Sequence, residues 1–407
     1  MGAYERDIHV EAHADGNEEK ICLPQDILRH VNLPASLPYE VAWNGNRLQI
    51  GPVLGLLAAT KDSHLTPRAL AGLFDYVAKY ERIKGAVIAF SLEGMLEQEK
   101  MVRGYLYDPE HHSWKYGVYV FPDAVYFRRA FVSPRMRGKL SQLTGNRFFN
   151  SHMFTKWSLY RWLSRSPDVS VHVPETALLS DSSAAAKLAE RHERVYVKPY
   201  RGYRGLGIYT AERTKDGYFL KLRERGRTIG RRFSDWDELY RSLTAELNAA
   251  KYIIQQGLHL SNINGRIFDF RVIAQKDHTG EWTIQGILAR IGARNSVVSN
   301  VSRGGAAKIA NRMLAKYYNG EERAEQTVER IAELALRLCA ELDKTGYIYG
   351  NIGMDIALDR FDRLWLIEIN TVYPDHTIAL DAGDRELYEK VMAAPLLFAK
   401  WLAGFQG

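Results

Sequence analysis

The stretch Gly353–Asn370, GMDIALDRFDRLWLIEIN, decides how the rest of the chain is read. Both of its arms alternate apolar and polar residues with period two, the mark of strands that bury one face. Met354, Ile356 and Leu358 share one face of the first arm, and Asp355 points the other way. On the second arm Glu368 and Asn370 stand two apart, so they share a face. A turn centred on Phe361 and Asp362 sets Asp359 opposite Leu364, and that pairing makes Asp355 the cross-strand neighbour of Glu368. Directly opposed side chains stand ~5 Å apart at Cβ, where like charges repel. Two carboxylates and an amide oxygen on one sheet face suit a hard divalent cation. Mg²⁺ is commonly held by one or two carboxylates together with nucleotide phosphates. The alternative is an acidic face bathed in water, and the hairpin alone leaves both open.

Working outward, 407 residues imply two or three domains with sizeable cores. A hydrophobic share of 46% with 25% charged residues is that of a soluble globular protein. A net charge of +7 suits a polyanionic ligand without requiring nucleic acid. Cys22 and Cys339 stand far apart with no metal spacing, which points to a reducing compartment. The N-terminal MGAYERDIHVEAHADGNEEK has no apolar signal core, and Arg6 stands where a myristoylation signal wants Ser or Thr. No run approaches the ~20 apolar residues of a membrane span. The expectation is a soluble, cytoplasmic protein.

From Leu48 the pattern sharpens. LQIGPVLGLLAA reads as a buried strand with a glycine turn, Pro67 to Tyr80 as a helix, and Lys84 to Phe90 as a second buried strand. A helix near Glu93 to Val102 and a strand over Lys115 to Phe121 follow. This order predicts a small parallel α/β domain over residues 1–131. A connector then carries Arg128, Arg129, Arg135, Arg137, Lys139 and Arg147 with no acid among them, as a solvated linker would. Further on, helices are expected at Thr155 to Ser164, at Ser182 to His192 and from Ser234, where Asp237 forms an imperfect capping box. Tyr252 to Gln256 reads as a buried strand, and Phe268 to Gln275 pairs with Trp282 to Ala289 across a turn. Glu321 to Lys344 is the longest helix, with Val328, Ile331, Leu334, Leu338 and Leu342 as its core stripe. A last helix, Arg385 to Phe405, contains Pro395.

The stretch Val195–Tyr209, VYVKPYRGYRGLGIY, places Lys198 at the end of an apolar strand, followed by Gly202, Gly205 and Gly207 in a basic turn. Glycines let backbone N–H groups close on phosphate oxygens, and a neighbouring Lys adds charge for the same oxygens. The pattern is neither a Walker loop nor a dinucleotide fingerprint, and no H-R-D motif accompanies it. A tight hairpin with incidental glycines is the plain alternative.

The order of these pieces is more specific than any one of them. A Lys-Pro strand, a G-x-x-G-x-G loop, the YIIQQ strand, a D-x-R strand and an E-x-N strand resemble the ATP-grasp superfamily, and within it the YheC/YheD type, described as endospore-coat-associated. The resemblance runs from about Asn150 to Tyr373. It implies two α+β subdomains that grasp ATP, over residues 132–407, behind the small α/β pre-domain, with a nucleotide clamp at about 195–258. It places Lys156 and Lys198 on the phosphates under the Gly202, Gly205 and Gly207 loop. It gives the adenine edge to Gln255 and to the backbone near Gln256 and Leu258. Asp355, Glu368 and Asn370 match its metal positions, for two Mg²⁺ ions.

Arg271 and Arg290 lie among apolar residues on paired strands, where a cation faces a cleft or an acid. With Asn300, from SNVSRGG, they suit a γ-phosphoryl group, while ion pairs with Asp269 or Glu281 are the structural alternative. The Arg201–Arg232 run holds ten basic and three acidic residues with interleaved aromatics, read as phosphate steering and solvated surface. The resemblance implies an ADP-forming carboxylate–amine ligase acting on small-molecule or peptide substrates. A hydroxyl-directed kinase and a coat protein with a vestigial pocket are the alternatives.

Overall fold

Three six-stranded sheets and one two-stranded ribbon make up the computed structural model, which describes residues 1–7, 23–45, 47–128, 132–202, 207–224, 227–293 and 305–406. Gly205 and Asn300 of the expected site lie outside the described residues.

The N-terminal sheet is mixed rather than parallel. Val53–Ala59 runs parallel to Ala86–Leu96 on one side and to Ala124–Phe127 on the other, while Met101–Asp108 and Ser113–Val120 add antiparallel strands. The helix expected near Glu93 to Val102 is therefore a hairpin. Its residues favour a helix, but Gly94 packs so closely that a Cβ there would lie 2.3 Å from the Arg103 carbonyl. Ser91 Oγ accepts the Gly94 N–H at 3.1 Å and pins the bulge. Tertiary pairing overrides propensity here. The helix expected from Pro67 to Tyr80 breaks into Pro67–Ala71, a 3₁₀ turn at Phe74–Val77 and Tyr80–Ile83. The sheet also continues past residue 131, because Phe148–Phe149 pairs with Val125 and Tyr126, and Leu140 of helix Pro134–Thr144 joins the same core. A boundary at 131 thus falls inside this unit.

The second sheet is antiparallel throughout, in the order Arg227–Phe233, Gly217–Glu224, Tyr209–Thr214, Arg194–Pro199, Tyr252–Gln256, Thr176–Leu178. Ala185, Leu188 and Ala189 of helix Ser182–Arg191 and Trp236, Leu239 and Leu243 of helix Trp236–Glu246 join its core on one side. The second of these helices starts one residue later than expected. Asp235 is its N-cap, accepting the Glu238 N–H at 2.8 Å, and Glu238 reaches back to the Ser234 N–H at 2.8 Å.

The third sheet has the order Ala306–Ile309, Trp282–Ile291, Arg266–Lys276, Asn351–Leu358, Leu364–Asn370, with the short sixth strand Asn262–Ile263 pairing the start of Arg266–Lys276, and the 23-residue helix Glu321–Asp343 packs on it. Ile331, Leu334, Leu338 and Leu342 are buried along that helix, each worth about 1.5–3 kcal/mol of apolar burial. Helix Arg385–Leu402 returns to the N-terminal unit, where Leu396, Phe398 and Ala399 pack with Leu54, Tyr126 and Phe149. Asn150 knots the ends together: its amide donates to the carbonyls of Asn351 and Thr371, and its oxygen accepts the Gly350 N–H at 2.9 Å. Among the described residues no helix is long and apolar enough to cross a membrane.

Candidate functional site

A cavity of about 600 Å³ opens between the second and third sheets, lined by Lys156, Lys198, Gly202, Gln255, Glu368 and Asn370. Six of the expected residues meet there.

Lys156 opens helix Lys156–Leu163, whose start is fixed by a capping box: Thr155 Oγ1 accepts the Ser158 N–H at 3.0 Å and Ser158 Oγ accepts the Thr155 N–H at 2.9 Å. Its own N–H donates to the Tyr200 carbonyl at 3.0 Å, and its ammonium donates to the Gly202 carbonyl at 2.9 Å. The same ammonium stands 3.7 Å from Glu368 Oε1. One side chain thus joins helix, glycine loop and hairpin.

Lys198 is half-buried and donates to Gln255 Oε1 at 2.6 Å. Desolvation, with Lys156 adding repulsion and Glu368 opposing, pushes its pKa down to about 8. Gln255 in turn donates to Thr176 Oγ1 at 2.8 Å, which fixes its amide with the oxygen toward the lysine. Thr176 carried no periodic signal in the sequence, and only the pairing of Gln255 with it reveals the role.

Gln256 points to the opposite side from Gln255. Its N–H donates to the Glu175 carbonyl at 2.8 Å and its side-chain oxygen accepts the Glu175 N–H at 3.2 Å. Neither Gln256 nor Leu258 lines the cavity. The period of two that puts Gln255 on the cleft side necessarily turns Gln256 away.

The hairpin confirms Asp355 opposite Glu368, but by a different route. Leu358 pairs with Leu364, Ala357 with Trp365 and Ile356 with Leu366, one residue off the expected register, and an extra residue at Ile367 restores the pairing at Asp355. The offset comes from Asp359, which is not paired opposite Leu364. Its carboxylate builds the turn, accepting the N–H groups of Phe361 and Arg363 and the Trp365 indole at 2.8, 2.9 and 2.9 Å.

Asp355 itself is closed. Arg271 Nε donates to its Oδ1 at 2.6 Å, and Arg290 reaches its Oδ2 at 2.9 Å. Arg290 also grips Asp269 with two hydrogen bonds of 2.7 and 2.6 Å, the ion pair that the sequence left as an alternative. Burial by itself would raise the Asp355 pKa, but the two guanidinium groups hold it below the usual carboxylate range. Burial likewise opposes the Arg290 charge, and Asp355 and Asp269 outweigh it. None of these four residues lines the cavity.

For a metal, the donors that fit are those that face the cavity. Among the described residues, the cation nearest the Glu368 carboxylate is beyond hydrogen-bond distance and the Asn370 amide oxygen has no hydrogen bond. Both are hard oxygen donors next to two lysines, the set that Mg²⁺ with nucleotide phosphates takes.

The model of the YheC/D-like ATP-grasp family matches residues 145–402. The chain is 25% identical over 366 residues to the endospore coat-associated protein YheD of Bacillus subtilis (strain 168), covering 87% of this chain and 80% of that one. It is 19% identical over 283 residues to YheC of the same strain, covering 66% and 76%. Among solved structures it is similar to D-alanyl-alanine synthetase A of Vibrio cholerae, at 14% identity and a TM-score of 0.45, covering 85% and 99%. The family match takes in both sheets that wall the cavity and every described side chain placed on it, so the chain belongs to the YheC/D-like ATP-grasp family.

Proposed function

We propose that the protein is an ATP- and Mg²⁺-dependent carboxylate–amine ligase that releases ADP. The observation that carries this reading is the meeting of Lys156, Lys198, Glu368 and Asn370 on one cavity between two sheets. Lys156 and Lys198 hold the triphosphate, and Gln255, oriented by Thr176 and Lys198, presents a fixed amide to the base. The substrate carboxylate attacks the γ-phosphorus and ADP leaves. The acyl phosphate then loses inorganic phosphate to an attacking amine, which gives up a proton as the amide forms. Arg271 and Arg290 remain paired with Asp355 and Asp269, so Lys156 and Lys198 supply the positive charge at that centre. Glu368 and Asn370, the oxygen donors on the cavity, would hold the Mg²⁺ ions, which when bound neutralise β- and γ-phosphate oxygens. No covalent enzyme intermediate is needed.

Residues 195–258 act as the clamp over the nucleotide in this reading, and the N-terminal unit serves as the pre-domain. The names of YheD and YheC support an association with the spore coat. The test is an ADP-release screen over amino acids, peptides and polyanions with Mg²⁺, followed by mass spectrometry of the products. An amide product supports the ligase. A phosphorylated hydroxyl makes the protein a kinase, and nucleotide binding without turnover under any acceptor makes it a structural protein.

A further inference from the structure

A second cavity, of about 510 Å³, lies in the N-terminal unit at the carboxyl ends of two adjacent parallel strands. Val53–Ala59 and Ala124–Phe127 pair from Leu54↔Ala124 to Leu57↔Phe127, and both run out into it. Ala58, Ala59 and Thr60 continue the first strand. Arg128 continues the second, its N–H bonded to the Leu57 carbonyl at 3.1 Å. The connection leaving Val53–Ala59 crosses to Ala86–Leu96 on the other side of it, so strand order reverses at this crevice. In open α/β sheets that reversal is where ligands bind.

The lining is cationic and hydroxylic. Thr60, His64, Thr66, Arg68 and Arg128 face the space, and among the described residues no carboxylate lines it. Arg128 is the telling member. Its Nε donates to the Tyr76 hydroxyl at 3.2 Å, and its guanidinium carbon sits 5.4 Å from the Tyr76 ring centroid and 5.3 Å from that of Tyr373. The groups acting on its charge are tyrosines, and among the described residues it has no carboxylate partner. Arg271 and Arg290, which are also sheltered, each hold an acid. A half-buried cation left without a counter-ion is costly, and a ligand anion relieves that cost. Tyr373, against which Arg128 stacks, also lines the cavity that holds Lys156 and Glu368. The two spaces therefore meet across the Arg128–Tyr373 contact.

We infer that the second cavity binds a carboxylate, held by Arg128 and Arg68 with the Thr60 and Thr66 hydroxyls. This makes the substrate that the cleft acts on an anion recognised by the N-terminal unit. The word substrate rests on the ligase reading; the anion site does not.

The experiment titrates acetate, succinate, L-glutamate and inorganic phosphate into the full chain by calorimetry, with saturating Mg²⁺–ADP present to cover Lys156 and Lys198. A carboxylate should bind the wild type. Arg128→Gln and Arg68→Gln should each weaken it about tenfold, or about 1.4 kcal/mol, while the Kd for Mg²⁺–ADP stays within twofold. Arg68 is exposed on the Pro67–Ala71 turn, so its variant keeps the test sound if the Arg128 variant folds poorly. Carboxylates that bind neither protein, that bind both variants as tightly as the wild type, or that are outdone by phosphate alone overturn the proposal. Wild-type chain that fails to bind Mg²⁺–ADP sinks the ligase reading instead, and the anion site is then judged on nucleotide-free protein by the same Arg68→Gln difference.

Discussion

On one face of the third sheet, Asp269, Arg271, Arg290 and Asp355 close on one another, whereas Glu368 and Asn370, one strand further on, look into open space. The closed group is almost fully buried, with Asp269, Asp355 and Arg290 exposed by only 4, 6 and 8%. Glu368 keeps 39% of its side chain exposed, with its nearest cation among the described residues at 3.7 Å. The difference separates charges that satisfy the fold from charges held ready for a ligand. It also explains how opposed carboxylates coexist, since Asp355 is neutralised by its own arginines before Glu368 can repel it.

The sharpest way to break this comparison is to open the closed group. Arg290→Met leaves Asp269 and Asp355 buried without their shared partner, which should cost about 3–5 kcal/mol. Equilibrium denaturation measures it. A loss below ~1 kcal/mol would show that Arg290 is available to the cleft rather than bound to the fold.

Glu368→Gln attacks the open group and should do the reverse. ADP release should fall by about 100-fold or more, about 2.7 kcal/mol in the barrier, while stability changes by less than ~0.5 kcal/mol, as for a surface substitution. A variant that both unfolds and stops turning over would place Glu368 with the structural charges.

The contrast was only half legible in the sequence. Period two brought Asp355, Glu368 and Asn370 to one face because alternation is a property of any half-buried strand. The offset at Ile367 was not legible, since it depends on the Asp359 carboxylate collecting three donors in the turn, and the correct pairing emerged from two compensating displacements. Which arginine meets which acid was equally hidden. Asp269 and Arg290 lie 21 residues apart and become neighbours only through the register of their strands. The hairpin at Gly94 misled for a similar reason: a contact with Arg103, invisible locally, outweighed helix-favouring residues. Lys156 and Lys198 were placed by resemblance, and the cavity they share is a matter of packing that no spacing rule contains.

Lys198 offers a gentler test, through pH. Between about 8 and the ordinary 10.5 the folded protein has shed a proton that the unfolded chain keeps. The destabilisation from holding this charge is therefore complete below about pH 8 and is relieved as pH rises toward 10.5. Nucleotide binding runs the other way. Phosphates favour the ammonium, so Mg²⁺–ADP affinity should fall as pH rises through about 8, by at most tenfold per pH unit. Lys198→Arg, charged throughout, should flatten that limb, and Gln255→Glu should move it to higher pH by placing a carboxylate where the amide oxygen now sits. Affinity independent of pH in the wild type would take Lys198 off the phosphates.

The smallest expected effect is the most discriminating for the open group. Lys156 and Glu368 form the link between helix, loop and hairpin, and their 3.7 Å separation in a partly exposed setting predicts a coupling below ~1 kcal/mol in a double-mutant cycle on stability. Added salt should weaken it further, because solvent screens such pairs. The cycle uses Lys156→Met and Glu368→Gln, without nucleotide. A coupling near that of a buried pair, insensitive to salt, would mean that Glu368 is already satisfied by Lys156. The hairpin would then present no unclaimed carboxylate, and the two halves of the sheet face would differ in exposure but not in kind.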